Sequence, residues 1–300
     1  MIKESVPASK TIQKGNKTIS CYDDLGKNID EVTVKSFGEE WKAFNEFRDE
    51  EITRIGDSYF DVVTPDMTGS DKIAADFGCG TGRWTKYFAP RVGAIAAIDP
   101  SDAIFTAAGV LENVPNAKLY KASIDNLPFQ DNYFDFGFSL GVLHHIPDTQ
   151  NAMNSCIRKI KPGGNFLVYL YYSLDNRSAA FRFLFWLSNL IRLVVSKLPS
   201  GLKKFVCDVL AVVLYMPFVL FCRFLKLLGA PQRIRGKVPL QIYEDASFYI
   251  IRNDSLDRFG TPLEQRFSRA QIIRMMEQSG LTDIRCSENQ PYWHAIGTKK

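Results

Sequence analysis

Apolar residues recur along the chain with two periods, and the period changes near residue 71. Between residues 32 and about 63 the spacing is helical: Phe37, Trp41, Phe44 and Phe47 return at three- and four-residue steps with Glu and Lys between them. Such a stripe predicts a helical face that packs over the ligand cleft of the domain that follows. Upstream, residues 1–30 are rich in Lys, Ser, Asn and Asp and read as a poorly ordered lead. From Asp71 onward short apolar runs alternate with helical stretches. Strands are expected at 72–77, 94–98, 117–121, 134–139 and 165–172, with helices at 83–88, 102–110 and 149–160 between them. This alternation implies right-handed crossovers and a parallel sheet. After a long interruption the pattern resumes. Ser268 caps a helix over 269–279, Gly280 closes it, and strands follow near 283–287 and 293–298.

The interruption breaks both periods. Residues 181–198 are largely apolar; Arg182, Asn189, Arg192 and Ser196 share one helical face, and Ser188 and Lys197 are the other polar positions. Residues 209–222 carry no charge at all, and Lys203, Lys204 and Asp208 precede them while Arg223 and Lys226 follow. Fourteen residues fall short of the roughly 18–20 needed to cross a bilayer, and Pro217 interrupts them, so helices lying in one leaflet are expected. Charge sharpens this picture. The whole chain is only +4, yet residues 176–240 hold eleven Lys/Arg against Asp208 alone, which leaves 26 basic against 32 acidic residues elsewhere. A basic, apolar insertion sits in an acidic protein.

Composition otherwise excludes more than it selects. A hydrophobic fraction of 46% in 300 residues supports a core without disulfides. The six cysteines are scattered, with no CxxC pair and no histidine at ligand spacing, which points to reduced thiols in the cytoplasm and to no metal site. The first 24 residues are polar, so no secretory signal is expected there.

Candidate chemistry begins where the first strand of the alternating pattern ends. Asp76-Phe77-Gly78-Cys79-Gly80-Thr81-Gly82 places three alternate glycines just beyond it, where a parallel sheet binds ligands. Asp99-Pro100-Ser101 ends the next strand, and its carboxylate can accept hydrogen bonds from a ribose diol. A glycine turn alone leaves dinucleotide-binding proteins in competition. The acid ahead of the turn separates them, because Asp76 would repel a pyrophosphate and suits a cationic amino-acid moiety. Further signals follow in order: Ser123-Ile124-Asp125-Asn126-Leu127-Pro128-Phe129, Phe134-Asp135, GVLHHIPD at 141–148, and Lys161-Pro162-Gly163-Gly164.

In this register the motifs resemble those of class I S-adenosylmethionine-dependent methyltransferases, and most closely the type 11 group that includes ubiquinone/menaquinone methylases. The resemblance covers residues 71–172 and, more loosely, the strands after Ser268. It implies an α/β fold: a seven-stranded, mostly parallel, doubly wound sheet with a helical insertion after the fifth strand. It implies S-adenosyl-L-methionine as cofactor. Asp76, Gly78, Cys79, Gly80, Thr81 and Gly82 would line its methionine part, and Asp99, Pro100 and Ser101 would hold the ribose. Ser123, Ile124 and Asp125 would flank the adenine, and Ser139, Leu140 and Gly141 would face the methionine portion and the reacting methyl. The family often has Asp where this chain has Ser123, so Asp125 is the stand-in for that contact.

Methyl transfer from a sulfonium is an in-line displacement, and a general base matters where the acceptor must lose a proton. His144 and His145, following the fourth strand, are the candidates, with a packing role as the alternative. His294 has no partner visible in sequence and reads as a surface or packing residue. Tyr169, Tyr171 and Tyr172 read as alternating core with a possible face on the acceptor. Residues 254–267 mix Asp254, Asp257, Arg258, Glu264 and Arg266 around a Gly-Thr-Pro turn and read as a lid or a salt-bridged linker.

Four segments follow: a lead and helical cap over 1–70, a cofactor-binding core over 71–173, the insertion over 174–248, and a lid loop, last helix and closing strands over 249–300. The expected activity is O- or C-methylation of a small or lipid-linked acceptor by a protein held peripherally or monotopically on the cytoplasmic face of an anionic membrane. The insertion's other use is a cap or homodimer interface. A non-catalytic cofactor-binding scaffold and a nucleic-acid methyltransferase are the rival functions. Against the latter, the Asn/Asp-Pro-Pro-aromatic tetrad of amino-methylating enzymes is replaced here by Ser139-Leu140-Gly141-Val142.

Overall fold

The computed structural model describes every residue except Met1, Leu25 and 44–48, with the side chains of 39–43 also outside the description. Its strands are β1 (Lys10–Lys14), β2 (Lys17–Cys21), β3 (Gly69–Phe77), β4 (Val92–Ile98), β5 (Ala117–Lys121), β6 (Phe134–Leu140), β7 (Ile160–Tyr169), β8 (Leu281–Cys286) and β9 (His294–Lys299). The helices are α1 (Glu31–Ala43), α2 (Asp49–Tyr59), α3 (Arg83–Phe88), α4 (Ala103–Val110), α5 (Thr149–Arg158), α6 (Ala179–Val195), α7 (Ser200–Leu210), α8 (Met216–Leu227), α9 (Gln232–Arg235), α10 (Phe248–Gly260) and α11 (Arg269–Gln278). The chain divides into two units. Met1–Asp175 with Leu263–Lys300 form the first, and Asn176–Pro262 form the second.

In the first unit all nine strands join one sheet in the order β1-β2-β5-β4-β3-β6-β7-β9-β8. The seven from β5 to β8 are the expected doubly wound sheet, parallel except where β9 runs against β7 and β8. Strand order reverses between β3 and β6, so a crevice opens at their carboxyl ends. Alternation along β4 shows why both faces are covered. Ala96 and Ile98 enter a core with Phe166, Ile272 and Met276, while Ile95 and Ala97 enter another with Phe88, Ile104 and Leu111. The capping box at Ser268 and Gln271 starts α11 as its sequence predicts.

The lead differs from the sequence reading. Instead of lacking structure, β1 and β2 form an antiparallel hairpin, and β2 adds parallel to β5 through Ile19↔Leu119. Ile19 and Cys21 are buried in the sheet while their neighbours are polar, an alternation too short and lysine-rich to stand out. The helical stretch is two helices, α1 and α2. Of its aromatic stripe, Phe37 is described, whereas the side chains of Trp41, Phe44 and Phe47 lie outside the described residues.

The second unit is helical throughout and extends further than its sequence pattern predicts, to Pro262. Of the stretch 254–267 read as a lid or salt-bridged linker, 254–260 belong to α10, while 261–267 are non-helical and carry the Glu264–Arg266 ion pair. Ser247 caps α10, accepting from Ile250 N, and its buried positions Ile251, Ser255, Leu256 and Phe259 follow a helical period that the interleaved charges mask. Pro217 does not break the long helix either. A π-helical turn over Ala211–Tyr215 precedes it, and Pro217 falls in the first turn of α8, where its missing N–H is tolerated. Residues Ser200–Leu227 therefore run as one helix of 28 residues.

Candidate active site

The glycine turn is held by backbone bonds from β4. Gly78 N and Cys79 N both donate to Ile98 O, at 2.8 and 2.9 Å, and Gly82 N donates to Cys79 O. Gly78 has φ +86°, and a Cβ there would lie 2.5 Å from Val142, so only glycine lets the turn lie against the loop after β6. Gly80 N then donates to Asp99 Oδ2 at 2.9 Å, while Asp99 Oδ1 accepts from Ser101 N (2.8 Å) and Ser101 Oγ (2.5 Å). These bonds join Gly78, Gly80, Asp99 and Ser101 into one cradle, with Pro100 in its rim.

Both acids of the motif are buried. Burial raises the Asp99 carboxyl, against the opposing pull of its bonds from Ser101 and Gly80 and of the Lys121 charge. Asp76 is 1% exposed and accepts from Thr85 Oγ1 at 2.6 Å; burial pushes it up to about 7. An ionised carboxylate offers about four acceptor sites, and Asp99 has three in use, which leaves capacity for a ribose hydroxyl. A carboxyl lifted this far beside the turn suits a neighbouring cation, such as an amino acid's ammonium. The residues present thus fit S-adenosylmethionine. Cys79 and Thr81 are buried in the turn, and burial keeps the Cys79 thiol protonated.

On the adenine side Ser123 is buried and its Oγ accepts from Asp125 N, capping a short turn over Ile124–Asn126. Asp125, expected to stand in for the adenine contact, is engaged with the lead. Its Oδ2 accepts from Lys27 N (2.6 Å) and Asn28 N (3.0 Å), so the lead is tied down over this part of the sheet. Ser139 is buried with its hydroxyl turned onto Phe77 O at 2.7 Å, which binds β6 to β3 at the switch point. Leu140 is buried, and beside Gly141 a Cβ would meet nothing within 4 Å, so there is room for a ligand there.

Beyond Gly141 the two histidines are brought together, with ring centroids 4.0 Å apart. They are not equivalent. His144 Nδ1 accepts from Tyr171 N at 3.3 Å, so the neutral ring carries its proton on Nε2, a buried atom with no hydrogen-bond partner among the described residues. Burial, then the charges of His145 and Arg266, hold its pKa well below the usual value. His145 Nδ1 lies 2.7 Å from Leu263 O, an acceptor only, so its neutral ring carries the proton on Nδ1 and leaves Nε2 basic. Tyr171 stacks on His144 at 3.9 Å, and Phe37 meets His145 edge-on at 4.8 Å. Tyr169, at the end of β7, packs against Tyr59 at 5.1 Å, and Tyr59 against Trp84 at 5.2 Å. Tyr172 turns elsewhere, to Tyr292.

His294 has the partner that sequence could not supply. It is fully buried opposite Tyr169, with Nε2 2.6 Å from Asp61 Oδ1 and Nδ1 2.8 Å from Pro291 O. Burial alone would raise Asp61, but bonds from Asn289, His294 and Ser287 outweigh it and hold the carboxyl low. The pair pins the end of α2, and with it Tyr59, to the closing strands. The two residues stand 233 positions apart, and no local pattern links them.

Residues 75–168 match the family described as Methyltransferase domain. The chain is 27% identical over 164 residues to a ubiquinone biosynthesis O-methyltransferase of Nitrosomonas europaea, covering 52% of this chain and 67% of that protein. It is 29% identical over 154 residues to the ubiquinone/menaquinone biosynthesis C-methyltransferase UbiE of Idiomarina loihiensis, covering 47% of this chain and 59% of the relative. Among solved structures it resembles the YcgJ protein of Bacillus subtilis, with 16% identity, a TM-score of 0.44, and 84% and 70% of the two chains covered.

Proposed function

From the class I S-adenosylmethionine-dependent methyltransferase domain of type 11 that this chain carries, we propose that it methylates an oxygen or carbon of an apolar, lipid-like acceptor at the cytoplasmic face of the membrane. The observation that carries this reading is the aromatic cluster after β6 and β7. Tyr59 packs on Tyr169, Tyr171 on His144 and Phe37 on His145, whose Nε2 is the basic nitrogen among them. Such aromatic surfaces suit an apolar ring or chain better than a sugar-phosphate. The relatives' names, which include O- and C-methylation in ubiquinone biosynthesis, favour quinone precursors within that class.

S-adenosylmethionine bound in the Asp76–Asp99 cradle supplies an electrophilic methyl group on sulfur. The chain's own part is placement and proton handling. The cradle fixes the donor, the aromatic surfaces orient the acceptor and exclude water, and Tyr171 and Leu263 hold the two imidazoles in opposite tautomers. His145 Nε2 takes the acceptor's proton, while His144 Nε2–H donates a hydrogen bond to developing negative charge. Incubating the protein with methyl-labelled cofactor and a total lipid extract, followed by mass spectrometry, tests the reading. A labelled, organic-soluble product is expected. His145→Gln should cut turnover by about 100-fold, within the usual range for losing a general base, with S-adenosylhomocysteine affinity unchanged. Label appearing only in nucleic acid would contradict the proposal, as would turnover indifferent to His145.

A further inference from the structure

The second unit exposes two apolar helix faces that its own fold leaves uncovered. On α6 the exposed residues include Phe183, Trp186 and Leu190; on the long helix they include Phe205, Val213 and Phe221. Single exposed apolar residues are ordinary, but two contiguous stripes are not. The unit carries thirteen basic against five acidic residues, with exposed Arg182 and Lys197 near the two ends of α6 and Arg233 and Lys237 beyond the long helix. We propose that this unit is an in-plane membrane anchor whose two stripes enter one leaflet of an anionic phospholipid bilayer, while its basic residues meet the headgroups. The charge selects the occupant. Each Lys or Arg near an anionic surface adds attraction, whereas a second copy of the same +8 unit would be repelled.

The long helix is long enough to cross a bilayer, 28 residues or about 42 Å. Its other face rules that out. Cys207, Ala211 and Tyr215 are buried on the side that meets α10, and Val219 and Cys222 continue the buried stripe along α8, which packs on the turn at 241–243. Across the α10 contact Asp208 makes a bidentate pair with Arg252, Tyr215 donates to Asp254, and Ser255 donates to Cys207 O. Near its end Arg223 donates to the carbonyls of Glu244 and Ala246. A helix inserted end-on would carry Arg252, Asp254, Asp257 and Arg258 of α10 into the hydrocarbon, where charged side chains are strongly disfavoured. Lying flat, it wets α10 and buries only the opposite stripe.

This anchor deepens the proposed reaction by naming the surface from which the acceptor is taken, yet it is tested without any acceptor. The full-length protein is sedimented with phosphatidylcholine vesicles, with and without phosphatidylglycerol. Binding is expected only with the anionic lipid and should weaken in high salt. Trp186→Glu combined with Phe221→Glu should lower the bound-to-free ratio by about tenfold or more, with S-adenosylhomocysteine binding intact to show that the protein is folded. A Val213→Trp variant reads depth. Quenching by lipids brominated high on the acyl chain is expected, and stronger quenching by deep bromines would mean a crossing helix and overturn the in-plane arrangement. Equal retention in the supernatant with both vesicle types would overturn the anchor, as would a stable dimer that the double Glu variant dissociates. Vesicle binding without methyl transfer to lipid would instead leave the anchor standing and sink the reaction.

Discussion

Asp76 and Asp99 are two buried carboxyls, each hydrogen-bonded within the chain, at the end of the sheet where the glycine turn lies. Asp76 moves from 3.8 to about 7, so the folded, empty protein binds more protons than the unfolded chain across that interval. Its stability contribution therefore falls as pH rises through the window, the reverse of a salt-bridged aspartate. A cationic ligand reverses the penalty. The thermal shift given by S-adenosylhomocysteine, whose amino-acid part keeps the ammonium, should be larger above about pH 7 than below it, as differential scanning fluorimetry can check. Asp99→Ala should weaken the same ligand by about 100-fold or more in calorimetric titration, through loss of charge-assisted bonds and of the Gly80 and Ser101 anchors. At this scale sequence was a good guide to the donor: the alternate glycines and the acid after β4 stand where their spacing implies. It was a poor guide to proton chemistry. Nothing in a His-His pair says which nitrogen faces Tyr171 N and which faces Leu263 O, because both partners are backbone atoms.

Elements followed their periodicity where one face, or both, met a core. The strands from β3 to β7 and the helices between them were legible for that reason. Where two signals overlapped, the reading failed. The β1–β2 hairpin hides its alternation among lysines, and α10 hides a helical period among charges that turn out to face α6 and α7. The tether from Asp61 to His294 belongs to this scale, since it fixes the end of α2 on the sheet. Asp61→Ala would leave a buried imidazole nitrogen without its acceptor. It should cost about 2 kcal/mol in urea denaturation, near the penalty for a buried unpaired polar group. The aromatic cluster should suffer more than the cradle, since Tyr59 alone lies on the tethered segment. A cost within error of zero would mean that α2 is held by its packing on α3 instead.

The whole molecule divides its charge as it divides its contacts. The second unit is strongly basic, while the first holds 24 basic and 28 acidic residues and carries the cradle and both histidines. The motifs of the first unit were legible because they are short and contiguous, whereas the charge of the second unit is spread over its whole length. The most direct test of the account is S-adenosylhomocysteine production by the purified protein when separate fractions are added: membrane lipid extract, RNA, and water-soluble metabolites. The account predicts that only the lipid extract drives production, and that Asp99→Ala abolishes it. Production driven by RNA or by soluble metabolites, with none from lipid, would contradict it.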